Sequence, residues 1–332
     1  MNQSIYHSKL NLIETEKAIK LIKDTFEIQL AKNLNLIRVS APLFVKENSG
    51  FNDDLNGVER PVSFDISHIQ EPASIVHSLA KWKRYALKRY RFEPHYGLYT
   101  DMNAIRRDEE MDALHSIYVD QWDWEKMINE EDRTLDYLKE TVQVIYQALL
   151  KTQDVLLQNY PSLKSYLPDT IYFITTTELE KMYPQLNSKE REKEICKQHH
   201  AVFLMQIGDD LPINHQPHDL RAPDYDDWSL NGDILIYYPP LECAFEISSM
   251  GIRVNENKLN EQLKKAKQEH RKTLLYHQML LNHELPLTIG GGIGQSRICM
   301  LLLNKIHIGE VQASLWSDKI LKDCEEKGII LL

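Results

Sequence analysis

The stretch Leu285-Pro-Leu-Thr-Ile-Gly-Gly-Gly-Ile-Gly-Gln-Ser-Arg-Ile-Cys-Met-Leu-Leu-Leu303 reads as a buried strand, a glycine turn and a helix that carries one arginine inward. Gly290, Gly291, Gly292 and Gly294 remove Cβ atoms where a flat ligand or another backbone must come close, and they admit backbone angles that other residues resist. Ile298, Met300, Leu301, Leu302 and Leu303 make the following helix apolar almost all round, so it belongs in the interior. Arg297 at its start then needs a partner, because burying an unpaired charge is costly. Two partners suit it: a nucleotide, or an internal carboxylate.

The usual nucleotide signatures are missing. No Gly-x-x-x-x-Gly-Lys-Ser/Thr occurs, and Gly290 to Gln295 departs from Gly-x-Gly-x-x-Gly at its last position. The stretch resembles motif 3 of the class II aminoacyl-tRNA synthetases, in which a glycine-rich strand leads to a helix whose arginine contacts ATP.

Composition allows a large buried core: 332 residues, 42% hydrophobic and 27% charged. Nothing marks a linker or a repeat, so the chain reads as one domain, 1–332, with a helical and mixed insertion at about 130–207. Against 49 acidic residues stand 39 basic ones, and the net charge of -10 disfavours nucleic acid as a partner. Basic residues gather only between Lys81 and Arg91, which reads mostly as a solvated helix face. Cys196, Cys243, Cys299 and Cys324 lack the spacing of a zinc site or a disulfide framework, which points to a reducing compartment. The first residues carry no apolar leader, and no run approaches the ~18 apolar residues of a membrane span, so the cytoplasm is expected.

Along the chain, Ala18, Ile19, Ile22, Phe26 and Leu30 recur at helical steps over about Ile13 to Lys32. A strand follows at Leu36 to Val39, and Pro42 should end its pairing. From Gly97 to Glu125 two strands flank a polar, acidic loop that opens with Arg106. On the second strand His115, Ile117, Val119, Gln121 and Asp123 share one face by period-two alternation. Inward Gln121 and Asp123 need polar partners, a need that a bound amino acid meets. A long helix through Leu135 to Leu149, strands at Ile171 to Ile174 and Val202 to Ile207, and a helix over Ser188 to His199 capped by Asn187 read as scaffold. Glu242 to Val254 reads as a central strand that carries Glu246 and Arg253. With Asp233 beginning the neighbouring strand, Asp233 and Glu246 suit one Mg²⁺; the alternative is a structural Glu246–Arg253 ion pair.

Motif 1 (about 13–44), motif 2 (97–125) and motif 3 (285–303) of the class II synthetases thus all have counterparts in order. Within that superfamily the chain is similar to the ammonia-dependent asparagine synthetases, or aspartate–ammonia ligases. The likeness rests on Val76-His-Ser-Leu-Ala-Lys-Trp-Lys-Arg84, His115-Ser-Ile-Tyr-Val-Asp-Gln-Trp-Asp-Trp-Glu125, Arg221-Ala-Pro-Asp-Tyr-Asp-Asp-Trp228, Phe245-Glu-Ile-Ser-Ser-Met-Gly-Ile-Arg253 and Gly290-Gly-Gly-Ile-Gly-Gln-Ser-Arg297.

The resemblance implies an α+β fold: a mainly antiparallel sheet of six to eight strands flanked by helices. It also implies a homodimer and synthesis of L-asparagine from L-aspartate, ATP and ammonia through a β-aspartyl-adenylate, with release of AMP and pyrophosphate. Residue by residue, it puts Arg106 on the α-phosphate, Arg297 on adenine, and Tyr225, Asp226, Asp233 and Glu246 on nucleotide or metal. Ser78, Lys83, Gln121, Asp123, Ser248, Ser249 and Arg253 then hold aspartate. Asp53 receives ammonia, although on the residues alone it also reads as a turn former in Asn52 to Asn56. No glutaminase cluster accompanies these residues, so ammonia is the expected nitrogen source. Two other readings remain: a different amino-acid-adenylating enzyme of this fold, and a regulatory nucleotide-binding relative. Loss of Arg106, Glu246 or Arg297 would favour the second, and all three are present.

Overall fold

Asn11 starts the first helix, α1 (Leu12–Leu34): its side chain accepts from the Glu14 amide while the Glu14 carboxylate accepts from the Asn11 amide. Asn35 ends the helix in the left-handed conformation at φ 58°. Between these caps Ala18, Ile22, Phe26 and Leu30 are fully buried, and Phe26 packs on Trp122 with ring centroids 4.7 Å apart. The computed structural model describes residues 6–53 and 59–332.

The proline-bearing segment after α1 splits into β1 (Leu36–Arg38) and β2 (Phe44–Lys46), which join different sheets. A three-stranded sheet places β4 (Ile69–Ile75) between β2 and β3 (Ser63–Ile66). Helix α2 (Ala80–Tyr90) follows, then the antiparallel pair β5 (Gly97–Ile105) and β6 (Tyr118–Met127). Helix α3 (Leu135–Asn159) packs beside α1. β7 (Tyr172–Thr175), α4 (Thr176–Met182), α5 (Ser188–His199) and β8 (Ala201–Met205) come next, with Asn187 and Glu190 forming the capping box of α5. The long strands β9 (Asp226–Tyr238) and β10 (Cys243–Arg253) precede α6 (Glu256–Lys265) and α7 (Leu275–Leu281). Last are β11 (Thr288–Gly294), α8 (Gln295–Leu302) and α9 (Asp318–Lys327).

The large sheet runs β1-β5-β6-β11-β10-β9-β8-β7. Only its outer pairs, β1 with β5 and β7 with β8, are parallel; the five inner pairings are antiparallel. The expected α+β architecture with an antiparallel sheet therefore forms, at eight strands. Beneath it α1, α3 and α8 build the main core with Trp122, Trp124, Ile289 and Ile293, which leaves the opposite face of the inner strands for polar groups.

Two expectations change. β11 runs straight into α8 at Gln295 without a glycine turn. The basic run of α2 is also not mainly solvated: Lys81, Lys83 and Arg84 are buried. Their helix face lies on the sheet, where Arg84 donates to the carbonyls of Pro286 (2.7 Å) and Val254 (2.8 Å). Each cation finds an acceptor, which is the condition for burying one.

Candidate active site

Three glycines thin the sheet where β6, β11 and β10 run side by side. Gly290 and Gly292 lie opposite Glu125 and Asp123 on one side, and opposite Gly251 and Ser249 on the other. A Cβ on Gly290 would strike the Glu125 carboxylate and lie 2.7 Å from Arg253 Nη2; one on Gly292 would strike Gln121 and lie 3.2 Å from Asp123 Oδ1. Close approach, and not backbone angle, is therefore the reason for glycine here: among the described residues the positive-φ glycines are Gly50, Gly208 and Gly328. Long charged side chains from β6 and β10 lie across the space so opened.

Arg253 fills part of it. Its Nε donates to both oxygens of Glu125 (3.0 and 3.1 Å), its Nη2 to Glu125 Oε2 at 2.7 Å, and its Nη1 to Asp226. Thr288 donates to the same Glu125 at 2.7 Å. Burial raises the Glu125 carboxyl, but the charges of Arg253 and Lys83 outweigh it and hold the group below its ordinary range. Burial, with Glu125 adding to it, lifts Asp226 despite Arg253. The alternative pairing of Arg253 with Glu246 is excluded, since seven residues along a strand span roughly 23 Å.

Lys83 reaches the same floor from α2. Its Nζ donates to Asp123 Oδ1 at 2.6 Å and to the Gly291 carbonyl at 2.9 Å, with Glu125 at 4.0 Å. Burial pulls its pKa down, partly offset by Asp123 and Glu125. Ser78, Gln121 and Ser249 line this end, and Ser248 presents a buried hydroxyl with no partner among the described residues. Such an orphan in a cavity wall marks a place for a ligand atom.

The other end is richer in cations. Arg106, directly after β5, has a buried Nε without a partner among the described residues; the Glu109 carboxylate is 3.8 Å from its Nη1. Arg297 does not turn inward. Its side chain is 26% exposed, and it donates to the Glu246 carbonyl at 2.8 Å, with the Glu246 carboxylate at 4.0 Å and the Phe245 ring centroid 5.8 Å away. Burial raises Glu246, yet Arg297 and Arg221 hold it below the ordinary carboxylate range.

Asp233 sits inside β9, which begins at Asp226, so it does not open that strand as expected. Its Oδ2 takes the Arg221 guanidinium, while its Oδ1 is buried without a hydrogen-bond partner among the described residues. Burial, together with the charge of Glu246 and against that of Arg221, pushes Asp233 up to about 7. An orphaned carboxylate oxygen beside a second carboxylate fits a cation that takes its remaining oxygens from phosphates and water. No cluster of three or more His, Cys, Asp or Glu ligands occurs among the described residues.

One cavity of about 460 Å³ joins both ends. It is lined by every proposed site residue except Asp233, which reaches it through Arg221 and Ser249. Tyr225 and Asp226 both line the cavity and both touch Arg253, whose guanidinium carbon is 5.7 Å from the Tyr225 ring centroid. Burial, then the charges of Asp53 and Asp226, keep the Tyr225 phenol protonated. Asp53 is 2% exposed. Asn52 fixes it by donating to Ser74 (3.0 Å) and the Ile75 carbonyl (3.2 Å) and accepting from the His77 amide (2.9 Å). The expected turn through Asn56 lies outside the described residues.

Sequence reasoning missed three positions. Glu125 is one step further along the face already traced through Gln121 and Asp123. Arg221 stands at the head of a polar string in which only Tyr225 and Asp226 drew a role. Asp224 anchors that string from behind by accepting from Lys81 (3.1 Å), Arg271 (2.8 Å) and His277 (2.9 Å); these partners overcome burial and hold its carboxyl well below the usual range. Only tertiary structure assembles that group.

Comparison with known proteins follows the same line. The aspartate–ammonia ligase family matches residues 13–328. Aspartate–ammonia ligases of Clostridium perfringens and Ruminiclostridium cellulolyticum are 61% and 59% identical over 328 residues, covering 98% of this chain and 97% of each relative. The Pediococcus pentosaceus enzyme is 57% identical, with 98% of both chains covered. Among solved structures, asparaginyl-tRNA synthetase from Pyrococcus horikoshii, complexed with asparaginyl-adenylate, matches at TM-score 0.65 and 14% identity over 91% of this chain and 70% of that one. The Entamoeba histolytica asparaginyl-tRNA synthetase matches at 0.59 and 16%, over 90% and 66%. At such identities the structures speak for the fold alone, which is that of the class II synthetases. With identities near 60% along nearly its whole length, the chain belongs to the aspartate–ammonia ligase family.

Proposed function

We propose that this enzyme makes L-asparagine through a β-aspartyl-adenylate, with AMP and pyrophosphate as the other products. The observation that carries the reading is the single cavity whose one end has amino-acid-sized polar partners around Lys83, Asp123 and Ser248 and whose other end has anion-binding Arg106 and Arg297. A carboxylate does not accept ammonia directly, because oxide is a poor leaving group. An oxygen of the β-carboxylate attacks the α-phosphorus, and the bond from that phosphorus to the bridging oxygen breaks to release pyrophosphate. Ammonia then attacks the acyl carbon; the carbon–oxygen bond to AMP breaks, and the nitrogen gives up its proton.

Arg106, whose Nε has no partner among the described residues, offers its guanidinium to the α-phosphate, whose charge grows in the transition state. Arg297 presents its flat face to the base. Lys83 and Arg253 draw the substrate carboxylates, and Asp123 and Gln121 its ammonium. Asp53, beside Tyr225, attracts ammonium and takes its proton. Asp233 and Glu246 would hold Mg²⁺, which neutralises pyrophosphate charge when bound.

We further propose a homodimer. Ile37 on the edge strand β1, and Leu43 and Phe44 at the start of β2, are exposed apolar side chains on two sheet edges, which favours a partner. A cytoplasmic site of action agrees with free Cys196, Cys243, Cys299 and Cys324, and no described helix is long and apolar enough to cross a membrane.

The test is to incubate purified protein with MgATP and L-aspartate, adding ammonium chloride or glutamine. Equal yields of AMP and asparagine with ammonium alone support the reading. Pyrophosphate exchange without asparagine points to another acceptor, and ADP as product rules out the adenylate.

A further inference from the structure

Gln312 lies beyond the three class II motifs, yet it lines the cavity with only 6% exposure. Its Nε2 donates to Ser296 Oγ at 3.0 Å and to Asp120 Oδ1 at 3.3 Å. Asp120 is itself fixed, accepting from the Ser296 amide at the start of α8 (3.0 Å) and from Lys23 (3.1 Å). A carboxylate so engaged can only accept, so the Gln312 amide cannot flip without setting oxygen against oxygen. Its Oε1 is thereby held apart from Asp120, and it is buried with no partner among the described residues. The neighbours at this end are the apolar Leu114 and Ile308, with Arg297 adjacent to Ser296.

An orphan acceptor beside apolar side chains and a guanidinium face has the chemistry of a nucleobase subsite. We propose that Gln312 selects adenine by accepting a hydrogen bond from its exocyclic amine. The inference rests on the adenylation reading and adds the determinant of base choice. A base with a carbonyl at that position would place a second acceptor against Oε1, which costs more than merely losing the bond.

The test compares ATP, purine riboside triphosphate and ITP at saturating aspartate and ammonium, following asparagine. The native enzyme should use purine riboside triphosphate about tenfold less well than ATP in kcat/KM, the worth of one neutral hydrogen bond. ITP should be poorer still. Gln312→Met, which keeps the shape but not the acceptor, should bring ATP and purine riboside triphosphate within about twofold of each other, chiefly through a higher KM for ATP. Equal use of the two nucleotides by the native enzyme overturns the assignment, as does a folded Gln312→Met that keeps full discrimination. Because the analogue series on native protein needs no variant, misfolding of Gln312→Met leaves the question answerable. AMP, and not ADP, as the product of native turnover of ATP tests the adenylation reading separately from the ratio among bases.

Discussion

Lys83 Nζ and Asp123 Oδ1 meet at 2.6 Å with both side chains buried, so the floor of the cavity is already an ion pair before substrate arrives. Bound aspartate would add an ammonium for Asp123 and a carboxylate for Lys83 and extend the pair into a network. Asp123→Asn keeps the shape and removes the charge. The KM for aspartate should rise at least about tenfold, as expected for a lost charged hydrogen bond, with the KM for ATP within about twofold. Steady-state kinetics with each substrate varied decides; equal effects on both would place Asp123 outside the aspartate subsite.

Glu125 should matter for stability as well as for the site. Its folded pKa is depressed, so its contribution is present above its unfolded pKa near 4.5 and is lost as pH falls through the folded value. Glu125→Gln leaves Arg253 buried with Asp226 alone and should cost about 3–5 kcal/mol near neutrality. Denaturant unfolding between pH 3 and 7 should show a shallower acid limb for the variant. A variant with native stability would mean that the pair contributes nothing net.

The glycines of β11 should separate stability from binding. Gly290→Ala drives a methyl into the immobilised Glu125–Arg253 pair and should lower the unfolding midpoint strongly. Gly292→Ala meets Gln121, a neutral side chain that no ion pair holds in place, so the protein should fold and lose affinity for aspartate. Thermal melts paired with aspartate titrations check both; the reverse pattern would contradict the close-packing account.

Much of this was legible locally, and the remainder has a physical reason for being hidden. Helix α5 and its cap followed from Asn187 and the period of its side chains, and α1 from its apolar spacing. The glycine stretch lines the cavity with Gly291, Gly292 and Gly294, but the need for glycine comes from Gln121, Asp123 and Glu125, distant in sequence, which fill the space above it. The buried cations of α2 look like a solvated face because residue type does not reveal whether acceptors from Val254, Pro286 and Asp224 will be waiting. Glu246 and Arg253 appear complementary in sequence only until strand rise is counted. The Asp224 cluster joins residues from three separate segments and leaves no local pattern.

Asp53 should act only in the second half-reaction. Asp53→Asn should retain aspartate-dependent exchange of pyrophosphate into ATP while asparagine formation falls by roughly 10²-fold or more, the usual scale for a general base. Loss of exchange to the same extent would instead make Asp53 part of the adenylation site.

The most direct measurement supplies aspartate labelled with ¹⁸O in both oxygens of its β-carboxylate and follows the label by mass spectrometry. If the β-carboxylate attacks the α-phosphorus, each AMP formed with asparagine carries one ¹⁸O and pyrophosphate carries none. Unlabelled AMP, or label in a phosphate released from ATP, would contradict the adenylate.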